Sequence, residues 1–417
     1  MSKTYCSLPF SHLYITTDGS VQPCCRFRFR NEDDSPTEWM KNGAPKVSEF
    51  DTLADVLKDN SWHELIQNKM LSGEKVEGCR SCYIEEEKSG FPSMRETENE
   101  QWGLDFNRDN ISVKSIEITF GNFCNLACRI CCSELSTSWL EDEKMLVDDY
   151  PFLPVYKRSN VDKDWKTEDF QTVEQIKITG GEPLLHPDFT KFLDMLISTN
   201  RTHDINLMIY TNSSTIPKTH LIERLAKFKN IKLYLSIDGF EKSHEYIRHN
   251  SVWETTEKTY EAWLKAELEY PNIVVCFSPT ISLYNLMEIE ELIDWWLATR
   301  VRIHGEVTEH TVTCNIMNHP PFMGIHDFHK AEERANELEE YKNKNNFPMH
   351  IEFLLETVIE NLRNVDVNSI SESARKEFVQ YTKDLDTIRN QDIKHSLPKL
   401  YELYKDLFEK YNGKLDK

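Results

Sequence analysis

"FGNFCNLACRICC", Phe120 to Cys132, holds four of the chain's eleven cysteines, spaced C-x3-C-x2-C with one more directly behind. It closes "VKSIEITF", residues 113–120, where Ile116, Ile118 and Phe120 fall on one face, so that segment reads as a β-strand. Similar apolar runs recur at 174–180, 204–210, 231–237, 272–280 and 301–307, with helix-like stretches at 186–199, 218–228 and 288–299 between them. Strands alternating with amphipathic helices indicate parallel βα units. Six such units suit a partial or complete barrel, whose right-handed crossovers gather the loops after the strands at one rim. The cysteines stand on the first of those loops.

The whole chain sets the bounds. Its 417 residues allow one large domain with a smaller one, or two to three domains. Hydrophobic content of 39% and charged content of 29% exclude wholesale disorder. A formal net charge of -21 argues against a general binder of nucleic-acid backbones, although "CRFRFR", Cys25 to Arg30, is a local basic run. "MSKTYCSLPF" lacks the apolar run of a signal peptide, and no segment reaches membrane-spanning length. The expected location is therefore cytoplasmic and reducing, where clustered cysteines serve as metal ligands or redox groups more often than as disulfides.

Three regions differ in texture. Residues 1–110 are short apolar pieces between turn residues, with two strands meeting at Asp18-Gly19 and a helix starting near Ser61, marked by Glu64 three residues on and by Leu65, Ile66 and Met70. Residues 111–326 carry the βα alternation. Residues 327–417 are charged, helix-prone and free of cysteine, as expected of packing helices or a lid.

Three readings compete for Cys124, Cys128 and Cys131. Zinc wants four ligands in a closed tetrahedron, and adjacent Cys131 and Cys132 do not easily serve one ion. A lone reactive cysteine needs no company at this spacing. A [4Fe–4S] cluster is held by thiolates on its irons, and three ligands leave one iron open to another molecule.

Here the chain resembles the radical S-adenosylmethionine (SAM) enzymes, whose C-x3-C-x2-C after the first strand matches Cys124, Cys128 and Cys131; Ile130 stands where the family has an aromatic residue. "TGGEP" closes the second strand, and the resemblance gives Gly180, Gly181, Glu182 and Pro183 the role of meeting the amino group of SAM. "YTNSS" supplies Asn212, with Ser213 in place of a family glycine. Ser236 and Asp238 of "LSIDG" resemble the SAM-binding rim, Arg248 an arginine that meets the SAM carboxylate, and Asn285 is a further candidate. What the resemblance implies is a partial (β/α)6 TIM-like barrel in an α/β chain, using SAM and a SAM-binding [4Fe–4S] cluster. Reductive cleavage would give a 5′-deoxyadenosyl radical that abstracts hydrogen from a substrate.

Cys6, Cys24, Cys79 and Cys82 form a second set in "YCSLPF", "QPCC" and "GCRSC". It resembles a SPASM/twitch auxiliary-cluster domain, small and α+β, which would hold a second [4Fe–4S] cluster; such domains usually follow the barrel, and this one precedes it. Cys24 fits the family hairpin better than Cys25. From spacing alone a four-cysteine zinc site stays open, and Cys276 and Cys314 read as ordinary thiols. The expected substrate is a peptide or protein, with a small molecule, sugar or nucleotide as the alternative and a non-catalytic iron-sulfur or zinc scaffold as a rival class. An electron donor such as flavodoxin or ferredoxin is the expected partner.

Overall fold

The computed structural model describes residues 4–29, 43–59, 61–88, 92–154, 156–306, 312–367 and 370–415. Arg30 of the basic run and Val307 of the sixth apolar run lie outside them. The chain forms two compact units, each built from separated stretches. One comprises Met1–Asn122, Arg158–Ile209 and Glu223–Ile231, the other Phe123–Lys157, Tyr210–Ile222 and Lys232–Lys417.

The first unit starts with a short helix, Leu8–Ser11, that runs into strand β1, His12–Ile15, and turns back at Asp18-Gly19 into β2, Val21–Gln22. Gly19 takes a φ of +78°, the left-handed conformation such a turn favours glycine for. The Asp18 carboxylate accepts from Thr16 Oγ1 (2.7 Å), from the Ser20 amide (3.0 Å) and from Lys46 Nζ (2.6 Å), which fixes the corner. On its other side β1 pairs in parallel with β3, Ser115–Thr119, from His12 opposite Ser115 to Ile15 opposite Ile118. β3 pairs with β4, Gln175–Thr179, and β4 with β5, Asn206–Thr211, both in parallel. The order is β2-β1-β3-β4-β5, so the amino-terminal hairpin is part of the same sheet as the βα strands.

Alternation gives that sheet two unlike faces. Ile116, Ile118, Ile176, Ile178, Leu207 and Ile209 are fully or almost fully buried; each such side chain stabilises the fold by ~1.5–3 kcal/mol. Phe120 packs against Phe189 and Phe192 of the helix Phe189–Ser198, at 6.2 and 5.3 Å between ring centres. The opposite face carries an ion pair, Lys177 with Glu117 at 3.1 Å. The helix expected near Ser61 runs Ser61–Ser72, with Ile66 and Met70 buried, whereas Leu65 remains 38% exposed.

In the second unit the carboxyl ends of β5, of β6 (Asn230–Leu235) and of β7 (Ile273–Phe277) lie side by side: Ser236 N donates to Thr211 O and Ser278 N to Leu235 O. The strand expected at 301–307 is not formed. Val301–His304 are instead the last turn of the helix Ile289–His304, which ends at Gly305 with φ +83°. The helical stripe persists because Trp296 stacks on Tyr260 and Phe277 (4.0 and 4.5 Å) and buried Arg300 donates to Glu267 at 2.9 Å. The place beside β7 goes to a later segment: Val312 bridges Phe277 in parallel, and Asn315–Ile316 pairs with Thr280–Ile281. Residues beyond 327 are helical as expected, at Ala331–Lys344, Met349–Arg363, Glu372–Arg389 and Pro398–Lys410. No helix of the described residues is long and apolar enough to cross a membrane.

Candidate functional site

The cysteine loop of the second unit is held by its own backbone and by short polar side chains. Ala127–Cys128 pairs antiparallel with Arg248–His249, Cys128 opposite Arg248, and Arg129 N donates to Ile247 O at 2.7 Å. The Cys124 carbonyl accepts from Ser138 Oγ at 2.8 Å, and the Cys128 carbonyl from Trp139 Nε1 at 2.8 Å. Cys131 N closes a turn onto Cys128 O at 3.0 Å. Cys124 and Cys128 are buried with Leu126, and Ile130 and Cys131 pack against them.

Beside the Leu126 amide, which donates to Cys124 Sγ at 3.5 Å, side-chain nitrogens reach the sulfurs. Asn212 Nδ2 stands 3.6 Å from Cys124 Sγ, and Arg248 Nη1 stands 3.8 Å from Cys128 Sγ. Arg248 Nε donates to Asp238 Oδ2 at 2.7 Å, and the other oxygen of that fully buried carboxylate accepts from Thr280 N at 2.8 Å. Asn285 ties the ends of two strands together, donating to Asp238 O and Thr280 O and accepting from Ser282 N. Ser236 sits half-buried just past β6. Burial pushes the Cys128 thiol up, opposed by Arg248. Burial and then the neighbouring Cys128, Cys132 and Cys124 push Cys131 well up. Burial works against the charge of Arg248, yet Asp238 and Cys128 more than offset it and hold the guanidinium above its ordinary value.

Ser213 follows Asn212 with a φ of +60° and is completely buried. Where the family has glycine, this chain thus places a residue with a Cβ in the left-handed region, which costs roughly 1–2 kcal/mol.

The Gly180–Pro183 segment belongs to the first unit. Gly180 has a φ of +79°, and a Cβ there would stand 2.6 Å from Thr119 Cβ. Gly181 follows it half-buried. Glu182 is 1% exposed, and its Oε1 accepts from Leu184 N at 3.0 Å, turning the chain into the Pro183–Leu185 turn of 3-10 helix. Gly180→Ala is expected to lower the unfolding free energy by about 1–3 kcal/mol in a denaturant titration, through left-handed strain plus displacement of Thr119.

The first unit also gathers the other cysteines. Cys6 lies in an apolar cluster with Leu8, Phe27, Trp62, Ile66, Met70 and Val76, and Cys24 and Cys79 pack against it. Burial pushes Cys6 up to about 12 and Cys24 well up, with Cys79 and Cys6 the next contributors to Cys24. Burial, then Cys6 and Cys82, do the same to Cys79. Cys25 has a different environment: after burial it feels Glu117, with which it hydrogen-bonds, and Lys177. Two arginines flank this quartet: Arg26, from the basic run, and Arg95, which no sequence motif marks. Arg95 donates to Glu86 (2.8 and 2.6 Å) and to Tyr5 O (2.6 Å), and Arg26 pairs with Glu85 at 2.7 Å. Both favour thiolates, Arg95 at Cys6 and Arg26 at Cys82.

None of the eleven cysteines is in a disulfide. Cys276 is buried and Cys314 half-buried, outside both groups. Among the described residues no group of three or more His, Cys, Asp and Glu side chains could hold a single metal ion. An iron-sulfur cluster spreads its thiolates over several irons. Buried sulfurs with an arginine and N–H donors beside them fit that group, since hydrogen bonds to the sulfurs tune such clusters.

A model of the radical SAM superfamily matches residues 118–295, and a model described as an iron-sulfur cluster-binding domain, SPASM, matches residues 6–83. Among curated proteins, the GTP 3′,8-cyclase of Sulfurimonas denitrificans is 32% identical over 126 residues, covering 30% of this chain and 35% of the relative. That of Campylobacter curvus is 28% identical over 158 residues, covering 38% and 45%. The chain spans less than half the length of these relatives. The crystal structure of Streptococcus suis SuiB bound to S-adenosylmethionine overlaps 55% of this chain and 48% of its own, at 15% identity and a TM-score of 0.36. These two kinds of domain have [4Fe–4S] clusters and S-adenosylmethionine as their cofactors. Residues 118–295 thus form a radical SAM domain, preceded in this chain by an iron-sulfur cluster-binding SPASM domain at residues 6–83.

Proposed function

We propose that this chain is a radical SAM enzyme with a catalytic core at 111–326, an auxiliary-cluster domain at 1–110 and a helical extension at 327–417. Cys124, Cys128 and Cys131 hold the SAM-binding cluster. Gly180, Gly181, Glu182, Pro183, Asn212, Ser236, Asp238, Arg248 and Asn285 bind SAM or shape its pocket. Cys6, Cys24, Cys79 and Cys82 hold a second cluster. A cluster held at Cys124, Cys128 and Cys131 would supply one electron for the reductive cleavage of SAM, the chemistry by which such enzymes take hydrogen from a substrate. Arg248 brings positive charge to the Cys128 sulfur and is held there by Asp238, and Asn212 donates to the Cys124 sulfur. The single observation that carries this reading is the pair of buried donors aimed at the sulfurs of Cys124 and Cys128.

For the substrate, the relatives named GTP 3′,8-cyclase favour the small-molecule class, of nucleotide or sugar size, over a peptide or protein. The peptidyl reading rests on the SPASM domain alone. A flavodoxin- or ferredoxin-like donor would supply the electron.

Anaerobic reconstitution is expected to give about eight irons per chain, and reductant with SAM to release 5′-deoxyadenosine. Cys79→Ala/Cys82→Ala should retain about four irons and some SAM cleavage, with a larger loss of product. Zinc at the amino-terminal quartet would overturn the second cluster. Iron without 5′-deoxyadenosine would make the protein a scaffold. Mass analysis of metabolites and peptides from cells with and without the active protein separates the two substrate classes.

A further inference from the structure

The helix Glu372–Arg389 lies in the charged carboxy-terminal extension, yet its last turns reach the cysteine loop inside the second unit. Arg129 stands between Cys128 and Ile130 and is completely buried. Its Nε donates to Tyr246 O at 3.0 Å, and its guanidinium lies 3.7 Å from the centre of the Tyr246 ring. Its Nη2 donates to Gln391 Oε1 at 3.0 Å and to Asp386, 257 positions later in the chain. The same carboxylate accepts from Tyr246 OH at 2.8 Å and Ile393 N at 2.9 Å. A second line of contacts runs in parallel. Arg389 donates to Asp142 at 2.9 Å, and its guanidinium lies 4.5 Å from the Trp139 ring centre, whose indole N–H holds the Cys128 carbonyl.

Two consecutive loop residues, Cys128 and Arg129, are therefore fixed by side chains that one distant helix supports. A buried arginine needs its counter-ion, and a loop whose buried cation lost it would open locally before the fold failed. Resting on the reading that Cys124, Cys128 and Cys131 are cluster ligands, we infer that Asp386 and Arg389 are positioning residues for the SAM cluster. The carboxy-terminal helix then belongs to the mount of the cluster rather than to a lid.

Asp384 provides the control. It lies on the same helix, is more deeply buried than Asp386, and accepts from Tyr150 OH (2.6 Å), Lys414 N (2.9 Å) and Leu415 N (3.1 Å), none of them in the cysteine loop. The test compares Asp386→Asn, Arg389→Met and Asp384→Asn with the parent chain. In the full-length apoprotein, iodoacetamide alkylation read site by site is expected to quicken at Cys124, Cys128 and Cys131 by about tenfold in the first two variants, the factor that ~1.4 kcal/mol of lost local stability gives. Cys6 and Cys276 should keep their rates, and Asp384→Asn should leave the loop thiols at the parent rate. In the reconstituted protein, the electron paramagnetic resonance signal of the SAM cluster should weaken or shift while that of the second cluster stays. Unchanged loop alkylation in Asp386→Asn, or an equal rise at every cysteine in all three variants, overturns the positioning role. A parent chain that binds no iron at the Cys124 loop overturns the cluster reading instead, and the alkylation pattern still decides whether the helix braces the loop.

Discussion

Replacing any one of Cys124, Cys128 and Cys131 with alanine is expected to abolish 5′-deoxyadenosine formation and remove about four irons of about eight, whereas Cys132→Ala should keep most of both. Three thiolates on one cubane leave no spare ligand, so a single loss unbinds the cluster rather than weakening it. Cys132 is the informative control because it is adjacent to a proposed ligand. Burial raises its thiol to about 11, and its further influences are the Glu134 and Leu135 backbone and the Glu134 and Glu143 carboxylates. Cys131, by contrast, has Cys128 and Cys124 among its strongest neighbours. The measurements are iron content and 5′-deoxyadenosine by chromatography under anaerobic conditions. Equal loss at Cys132 would shift the motif by one residue.

Arg248→Met is expected to have the second largest effect, on stability and cofactor use together. The Asp238 side chain is completely buried, and without its guanidinium partner it is left as an uncompensated charge, a loss of about 3–5 kcal/mol. Part of that is recoverable. In Arg248→Met/Asp238→Asn the amide can still accept from Thr280 N, so thermal stability should return towards that of the parent, while SAM cleavage stays at the level of the single variant. Calorimetry and SAM turnover on both variants check this. Recovery of turnover along with stability would show that Arg248 serves only to neutralise Asp238.

The two cysteine motifs, the strands at 113–120, 174–180 and 204–210 and the helix at 186–199 were legible because their signals are local. Period two, period 3.6 and the C-x3-C-x2-C spacing each fit in a window of a dozen residues or so. The same reasoning failed at 301–307, where Val301 and Ile303 alternate like a strand. That stretch stays helical because tertiary contacts of Trp296 and Arg300 carry the helix through to Gly305. Leu65 looked like a core residue on periodicity and is 38% exposed, since the helix buries Ile66 and Met70 instead.

By itself the sequence determined the βα alternation, the loop that carries the three thiols and the presence of a second cysteine set, because short-range chemistry specifies each. The tertiary structure decided the rest. It set His12–Ile15 in parallel beside Ser115–Thr119 across about a hundred residues of chain, a register no local pattern encodes. It turned Cys24 towards Cys6 and Cys79 and Cys25 towards Glu117, though the two are neighbours in sequence. It also converted Asp386 and Arg389, which read as ordinary charges on an amphipathic helix, into partners of Arg129 in the cysteine loop and of Trp139 behind it. A charged side chain has no periodicity that tells solvent from a buried counter-ion; only the fold, by excluding water from Arg129, gives Asp386 its role.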